Sequence, residues 1–237
     1  AETVLGAEER AKREGVPADD AYLKQKLSYT DDGEKLMDAD GEAVMMSWEL
    51  PLMERHADVI CAGGGDVLNI GFGLGLIDEE IQKRKPRSHT IIEAHPDVHA
   101  HMLKLGWGER PGVRVVFGKW QDVLVDSSNK FDGIFFDTYS EHYSDMQDLH
   151  MALPRVLRPG GVYSFFNGLC PDNIFFGAVY GRLVSRELGG LGMSTQFEMV
   201  EMDASKAAIW SGVKNRYWHH NKYFLPTCTM RGEGAGG

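Results

Sequence analysis

Short apolar runs alternate with helix-prone stretches along the middle of the chain. Five runs of strand length stand out, and each is followed by residues whose apolar positions recur every three or four residues, as in an amphipathic helix. Strands and helices that alternate in this way form βαβ units, whose sheet is parallel and covered on both faces. The five predicted strands are 66–72, 89–94, 113–118, 131–137 and 161–167.

The residues before this alternation predict helices joined by a polar connector. Up to about Ser28 the apolar spacing favours a helix, and residues 30–44 are rich in Gly and Asp, as in a loop. A second helix is predicted from Trp48 to about Ala62, where three glycines end it. We therefore predict a helical cover over residues 1–47.

The residues after the alternation predict further strands. Segments 193–202 and 215–230 are expected to be antiparallel strands that finish one side of the sheet, which is common in mixed sheets. The whole chain is predicted to be a single α/β domain with a Rossmann-like, doubly wound and mostly parallel sheet. Its parts are the cover over 1–47, a core over 48–230 and a flexible tail over 231–237.

Composition narrows the class of protein. The 237 residues carry 25 Lys and Arg against 35 Asp and Glu, a net charge of −10, and 43% are apolar, which excludes general disorder. No apolar run approaches the ~20 residues of a membrane span, and the charged start differs from a secretory signal, so no membrane contact is expected. Three cysteines without CxxC spacing predict reduced thiols and no metal site. We expect a soluble protein of the cytoplasm, the nucleus or both.

The negative net charge indicates which kinds of partner to expect. A net charge of −10 disfavours direct nucleic-acid binding and favours encounter with a cationic substrate.

The candidate chemistry lies where the predicted strands end, because ligands of open α/β sheets bind at the carboxyl ends of strands. Gly71, Gly73 and Gly75 follow the first strand and permit a tight turn against a ligand at a helix N-terminus. Glu93 ends the second strand, where a carboxylate can accept both hydroxyls of a ribose. The combination predicts a bound nucleoside; the alternative is a packing turn beside a solvated Glu93.

The spacing of the glycines distinguishes between nucleoside cofactors. A dinucleotide site has its third glycine further along the chain than Gly75, which comes only two residues after Gly73, and it needs space for a pyrophosphate. S-adenosylmethionine carries no phosphate and fits a more crowded turn, so we predict it as the cofactor and S-adenosylhomocysteine as its product. Trp120 and Gln121 follow the third strand and are expected to flank the adenine, unless Trp120 is a packing residue.

Two acidic residues are candidates for catalysis. Asp137 closes the apolar fourth strand, and Glu49 stands at the start of a helix, where it could instead serve the helix dipole alone. Paired carboxylates match the planar fork of a guanidinium. They can orient it, draw positive charge away from the reacting nitrogen and accept its proton. The rate of methyl transfer would then depend mainly on alignment.

Six stretches of the chain resemble the fungal and plant arginine delta-N-methyltransferases, which are relatives of guanidinoacetate N-methyltransferase. The resemblance covers roughly residues 20–226, and E-A-H-P and S-F-F-N-G-L match the protein-arginine branch better than the guanidinoacetate branch. It implies a class I S-adenosylmethionine-dependent methyltransferase fold and methylation of the internal delta-nitrogen of an arginine, notably in a ribosomal protein. The stretches are VMMSWELPLM, VLNIGFGLGLID, IIEAHPDV, GKWQDV, FDGIFFDTYSEHY and GVYSFFNGL.

The resemblance also implies a set of site residues. An N-terminal aromatic residue closes over the cofactor, and Tyr22 and Tyr29 are both candidates. Glu49 and Asp137 are counterparts of the acids that bind a guanidinium in the guanidinoacetate branch. The other implied cofactor contacts are Met45, Gly71, Phe72, Gly73, Leu74, Gly75, Leu76, Glu93, Ala94, His95, Trp120, Gln121 and Asp137. The substrate side is expected to include Trp48, Glu49, Asp137, Asn167 and Gly168.

Three other functions stay open at this point. One is a small-molecule guanidino methyltransferase of the guanidinoacetate type. The second is a non-catalytic cofactor-binding module with the same fold, because a fold does not determine an activity. The third is an NAD-dependent enzyme. The leading interpretation predicts a protein partner with an exposed arginine, of the ribosomal class.

Overall fold

The computed structural model describes residues 19–125, 128–139, 142–171, 173–204 and 206–232. The strands in these ranges are β1 (Ser28–Tyr29), β2 (Lys35–Met37), β3 (Ala43–Met46), β4 (Asp66–Ile70), β5 (Ser88–Glu93), β6 (Val113–Phe117), β7 (Phe131–Phe136), β8 (Leu157–Phe165), β9 (Met193–Glu201) and β10 (Lys222–Met230). The helices are α1 (Asp19–Tyr22), α2 (Leu50–Ile60), α3 (Leu76–Lys83), α4 (Pro96–Lys104), α5 (Trp120–Val125), α6 (Tyr143–Val156) and α7 (Ile174–Gly190).

Seven strands form the main sheet in the spatial order β6–β5–β4–β7–β8–β10–β9. Strands β4 to β8 are parallel, whereas β10 lies antiparallel to both β8 and β9. The chain reverses its direction of travel across the sheet between β4 and β7. Ligands of such sheets bind at this switch point, which here lies beside the glycine turn.

Helices cover the sheet on both faces. Phe135 of β7 packs in a cluster with α2, α3 and α4, whereas its neighbour Phe136 packs in another cluster with α5, α6 and α7. Adjacent side chains of a strand point to opposite faces, so each face is buried under its own helices. The predicted doubly wound, mostly parallel α/β class is confirmed. Among the described helices, none combines the length and the apolar character needed to cross a bilayer.

The N-terminal cover differs from the prediction. Within the described residues its helix is limited to Asp19–Tyr22, and the predicted polar connector folds as an antiparallel sheet of β1, β2 and β3. Gly33 and Gly41 adopt φ values of +73° and +80° in the turns that join these strands. The strands are two to four residues long, which is too short for alternation to be recognised. The cover is therefore largely a small sheet, and residues 1–18 lie outside the described ranges.

Two boundaries at the C-terminal side also differ. The fifth predicted strand, 161–167, is observed as Leu157–Phe165, because the chain at Arg158–Gly161 continues the strand with a register shift against β7. The last strand begins at Lys222 rather than at Asn215, and residues before it form a loop. The antiparallel pairing of both final strands is as predicted. Most of the predicted tail, from residue 233, lies outside the described ranges.

Candidate active site

A cavity of about 460 Å³ opens at the carboxyl ends of β4, β5 and β7. The N-terminal sheet closes one side of it, and the loop between β9 and β10 closes another. The volume is within the range of small-molecule and cofactor sites. The structure brings together on its wall twelve of the predicted site residues: Tyr22, Met45, Glu49, Gly71, Phe72, Gly73, Glu93, Ala94, His95, Trp120, Gln121 and Asp137.

The glycine turn after β4 is shaped by two close approaches. Gly71 has a φ of +93°, and a Cβ atom there would lie 2.0 Å from the backbone oxygen of Asp137. Gly73 has a φ of +55°, and its Cβ would lie 2.5 Å from the sulfur of Met45. That sulfur accepts a hydrogen bond from the Leu74 N–H at 3.2 Å. At Gly71 neither the backbone conformation nor the space admits a side chain, whereas at Gly73 the positive φ favours glycine and the Met45 side chain would have to shift.

Glu93 is fixed at the end of β5 by the main chain. Its Oε2 accepts the Phe72 N–H at 2.9 Å, and its Oε1 accepts the His95 N–H at 2.6 Å. Burial raises the pKa of this carboxyl, although these hydrogen bonds oppose the shift. A carboxylate oxygen has capacity for more than one donor, so Glu93 can still accept the hydroxyls of a ribose. With the glycine turn beside it, the site fits the nucleoside part of S-adenosylmethionine.

Trp120 and Gln121, predicted to flank the adenine, both line the cavity at the start of α5. Trp120 is 5% exposed, and its ring packs edge-on against Phe136 at 6.0 Å between centroids. Trp120 is therefore both a packing residue and part of the cavity wall, because one edge of its indole lies in the core.

The structure separates the two candidate N-terminal aromatics. Tyr22 is 6% exposed, lines the cavity and packs with the rings of His95 and Tyr139, each 5.0 Å away. Tyr29 lies outside the cavity wall: it stacks on His101 at 3.7 Å and donates to the Gly73 carbonyl at 3.1 Å. Tyr22 is therefore placed to cover a ligand, whereas Tyr29 supports the glycine turn from behind.

The remaining predicted residues are near the cavity but not on its wall. Leu74, Gly75 and Leu76 complete the turn and begin α3, with Gly75 at the helix N-cap. Trp48 packs among Trp210, Tyr217 and Trp218. Asn167 and Gly168 follow β8 outside the cavity wall.

Asn167 is held by the neighbouring strand rather than by the cavity. Its N–H donates to the Tyr223 hydroxyl at 2.7 Å, and its side-chain amide donates to the Phe224 carbonyl at 2.8 Å. The Tyr223 hydroxyl in turn lies 2.7 Å from Nε2 of the buried His56. Because β10 lies beside β8, it accepts both of these hydrogen bonds, and the role of Asn167 on the substrate side stays a prediction.

The two acids meet in the cavity from distant parts of the chain. Glu49 is 3% exposed and lies in the 3₁₀ turn Ser47–Glu49 before α2. Asp137 follows β7, and its N–H donates to the Ile70 carbonyl at 3.0 Å. Burial, reinforced by the charge of Asp137, raises the pKa of Glu49 to about 8. Burial also raises the pKa of Asp137. A cation between them would restore both charges, so the pair is suited to a cationic ligand.

Sequence reasoning missed several polar residues of the cavity wall, and one of them contacts the acid pair directly. Tyr217, in the loop between β9 and β10, lines the cavity and donates its hydroxyl to Glu49 Oε1 at 2.5 Å. The residues around it, NRYWHH, are rich in aromatics, and this pattern predicts a strand rather than a loop at the cavity. Tyr217 lies 80 residues from Asp137 along the chain, so no local spacing connects it with the acids.

Replacing Glu49 with glutamine is expected to stabilise the ligand-free protein increasingly as the pH rises. Glutamine keeps an acceptor oxygen but has no charge to desolvate. The folded protein holds the Glu49 proton up to about pH 8, whereas the unfolded chain releases it near about pH 4.3. The wild-type protein therefore loses stability between these values, and the variant avoids that loss.

Calorimetry at about pH 4.5 and about pH 8.5 checks this: the melting temperature of E49Q relative to wild type should rise by at least about 3 °C. E54Q is the matched control, because Glu54 is exposed on α2. A difference for E49Q that stays constant with pH would contradict the raised pKa.

Comparisons with known proteins find relatives over most of this chain. The family model described as guanidinoacetate N-methyltransferase matches residues 13–229. A protein of Yarrowia lipolytica named protein arginine N-methyltransferase 2 is 41% identical over 222 residues, which are 88% of this chain and 47% of that protein. Its namesake in Saccharomyces cerevisiae is 38% identical over 246 residues, 97% of this chain and 59% of that protein. The chain thus spans about half the length of these relatives.

Solved structures show the same fold at low sequence identity. Spermidine synthase of Thermotoga maritima has a TM-score of 0.61 at 16% identity, covering 87% of this chain and 72% of that one. The N-methyltransferase NodS of Bradyrhizobium japonicum has a TM-score of 0.55 at 16% identity, covering 78% of this chain and 97% of that one.

Proposed function

The chain belongs to the guanidinoacetate N-methyltransferase family, and from that premise we propose that it transfers a methyl group from S-adenosylmethionine to an arginine guanidinium in a protein. The observation that supports this most strongly is the buried acid pair, Glu49 and Asp137, on the wall of a cavity that also carries the glycine turn and Glu93. A site for a delocalised cation and a site for a nucleoside thus share one cavity. The curated relatives at 41% and 38% identity, both named as arginine N-methyltransferases, agree with it.

The residues of the chain account for most of the chemistry. When bound, S-adenosylmethionine supplies an electrophilic sulfonium methyl group. Glu49 and Asp137 hold the acceptor and keep its positive charge on the nitrogens that they contact, so the third nitrogen gains lone-pair density. A carboxyl group whose pKa is raised toward neutrality is also a suitable acceptor for the proton that this nitrogen loses. Burial of both acids strengthens these interactions.

The position of the acids favours the internal delta-nitrogen as the methylated atom. Each acid can take one terminal amino group of the guanidinium, because these groups carry most of its N–H donors. The internal nitrogen then remains for methyl transfer. The family resemblance of the E-A-H-P and S-F-F-N-G-L stretches to the protein-arginine branch supports the same choice.

We extend the proposal to a ribosomal protein as the substrate, in the cytoplasm or the nucleus. The net charge of −10 favours a basic partner, and ribosomal proteins are basic. The chain spans about half of its curated relatives, so recruitment is a property to be tested with the longer protein as well.

An assay with labelled S-adenosylmethionine distinguishes this proposal from its alternatives. The acceptors are a basic ribosomal protein fraction, the same fraction with its arginines blocked by a dicarbonyl reagent, and guanidinoacetate. We expect label in the untreated fraction alone, recovered as delta-N-methylarginine by mass spectrometry.

Each other outcome points to a different function. Label in guanidinoacetate alone would establish the small-molecule alternative. Label on a terminal nitrogen would reject the delta-nitrogen. Binding of S-adenosylhomocysteine without any transfer would indicate a non-catalytic module, whereas binding of NAD in its place would overturn the cofactor assignment.

A further inference from the structure

Within the part of the chain that the structure describes, the two hydrogen bonds to the Glu49 carboxylate fall on the same oxygen. Oε1 accepts the Met46 N–H at 2.9 Å and the Tyr217 hydroxyl at 2.5 Å. Glu49 is 3% exposed and lines the cavity, so Oε2 is the oxygen that remains for a ligand. The two oxygens of this carboxylate therefore have different roles.

We propose that Tyr217 is a positioning residue, which fixes the Glu49 carboxylate so that Oε2 alone is presented to the substrate guanidinium. This inference rests on the proposed function. A carboxylate that offers one oxygen cannot bind the guanidinium fork in the bidentate manner. The fork is then shared between Glu49 and Asp137, with one N–H to each acid. Tyr217 thus determines which edge of the guanidinium meets the acids.

The loop that carries Tyr217 is supported well enough to hold the phenol in place. The Tyr217 ring packs against Trp48 at 5.8 Å and against Trp210 at 5.0 Å between centroids. The next residue before it, Arg216, donates to the carbonyls of Trp218 and Ala204. The contact with Trp48 joins the loop to the turn that contains Glu49, and the other contacts hold the loop together.

A second set of contacts joins the same loop to the N-terminal sheet. Asn215 donates its N–H to Glu42 at 3.2 Å, and Lys214 donates its N–H to the Gly41 carbonyl at 2.9 Å. Glu42 and Gly41 lie in the turn between β2 and β3. The phenol is therefore held from two sides of the cavity, which is the requirement for a positioning residue.

The hydroxyl of Tyr217 also acts on the charge of Glu49. Burial and the Glu49 carboxylate raise the pKa of Tyr217, so it stays a donor across the working pH range. Its hydrogen bond lowers the pKa of Glu49 against the effect of burial. Loss of this donor should therefore raise the pKa of Glu49 further. The other titratable groups around the pair are Asp137 after β7, Tyr223 on β10, and, on the cavity wall, Glu42, Arg216, Tyr22, Glu93, His95, Lys119 and Tyr139.

The test compares Tyr217→Phe with the wild type over the pH range. The ascending limb of kcat/KM against pH should move up by about 0.5–1 pH unit in Y217F, because an ionised Glu49 is needed to bind the cation. At about pH 7 this shift lowers kcat/KM by about three- to tenfold. The matched control is Y143F, which also removes a phenol-to-glutamate hydrogen bond, from Tyr143 to Glu187 at 3.1 Å outside the cavity. Its pH profile should match that of the wild type.

A second variant should shift the ascending limb of kcat/KM in the opposite direction, and it preserves the shape of the side chain. Incorporation of 3-fluorotyrosine at position 217 gives a stronger donor, which should move the limb to lower pH. A third measurement does not use turnover: calorimetry in buffers of different ionisation enthalpy should show more protons released by Y217F than by wild type when an arginine peptide binds at about pH 8.5, where the two proteins differ most in the protonation of Glu49.

The outcomes separate this inference from the proposed function. If the wild type methylates arginine but Y217F loses activity equally at every pH, with proton release unchanged, the positioning role is wrong and Tyr217 is only structural. The same conclusion follows if the fluorinated protein shows no shift. If the wild type transfers no methyl group to any arginine while calorimetry still shows the change in proton release, the proposed function is wrong and the positioning of Glu49 stands.

Discussion

Replacing Asp137 with asparagine is expected to lower kcat/KM for an arginine substrate by about 10²–10³-fold, or about 3–4 kcal/mol of transition-state stabilisation. The variant leaves Glu49 to face the cation with one charge instead of two. Asparagine has nearly the same shape, so the glycine turn that approaches the Asp137 backbone should be undisturbed. Steady-state kinetics at saturating S-adenosylmethionine measure the loss.

Two further measurements give this prediction its specificity. D148N removes the same charge from an exposed position of α6 and should retain wild-type kinetics. The affinity for S-adenosylhomocysteine, measured by calorimetry, should change less than threefold in D137N, or about 0.6 kcal/mol. If kcat/KM of D137N stays within about fivefold of the wild-type value, the acid pair does not bind the acceptor. If the affinity for S-adenosylhomocysteine instead falls by as large a factor as kcat/KM, Asp137 acts through the cofactor.

Replacing Gly71 with alanine is expected to destabilise the protein more than any surface substitution. An alanine at position 71 would have to adopt a φ of +93°, and its Cβ would lie 2.0 Å from the Asp137 carbonyl oxygen. The backbone conformation alone costs about 1–2 kcal/mol, and moving a backbone carbonyl at the centre of the sheet adds to it. We expect a total loss of about 4 kcal/mol and a melting temperature lower by about 8–16 °C.

Gly33 is the matched control for this effect. It has a φ of +73°, but no atom lies within 4 Å of the position of its Cβ. G33A should therefore lose only the conformational term, about 1–2 kcal/mol or about 2–8 °C. G71A should in addition weaken S-adenosylhomocysteine binding, because β4 and β7 must separate at the cavity. Equal losses of stability in the two variants would show that the close contact with Asp137 is unimportant.

The main sheet could be predicted because parallel strands buried on both faces give apolar runs. Runs such as 131–137 are short and are bounded by polar residues, which separates them from helices of similar composition. The N-terminal sheet could not be predicted in this way. Leu36 and Met46 are fully buried, but each lies in a strand too short to show a period among Asp, Glu and Gly. Its folding depends on packing against the core rather than on local pattern.

The cofactor side of the cavity was predictable for a related reason. Strand ends in a parallel sheet converge at one edge, so Gly71, Glu93 and Asp137 could be brought together from sequence alone. Tyr217 could not, because it is delivered by a loop whose path follows from tertiary packing. Asn167 shows another limit: its strand end could be located from the sequence, but not the antiparallel neighbour that accepts hydrogen bonds from its N–H and its side-chain amide.

The short chain segment from Met45 to Glu49 makes the two halves of the cavity interdependent. At one end the Met45 sulfur accepts a hydrogen bond from the Leu74 N–H of the glycine turn. At the other end the Met46 N–H donates a hydrogen bond to the Glu49 carboxylate. A ligand that orders the turn also restrains the carboxylate, and a cation that captures the carboxylate restrains the turn. If bound cofactor raises the affinity for the acceptor by some factor, thermodynamic linkage requires that bound acceptor raises the affinity for the cofactor by the same factor. The protein should therefore bind S-adenosylmethionine and its proposed acceptor cooperatively, without any change in oligomeric state.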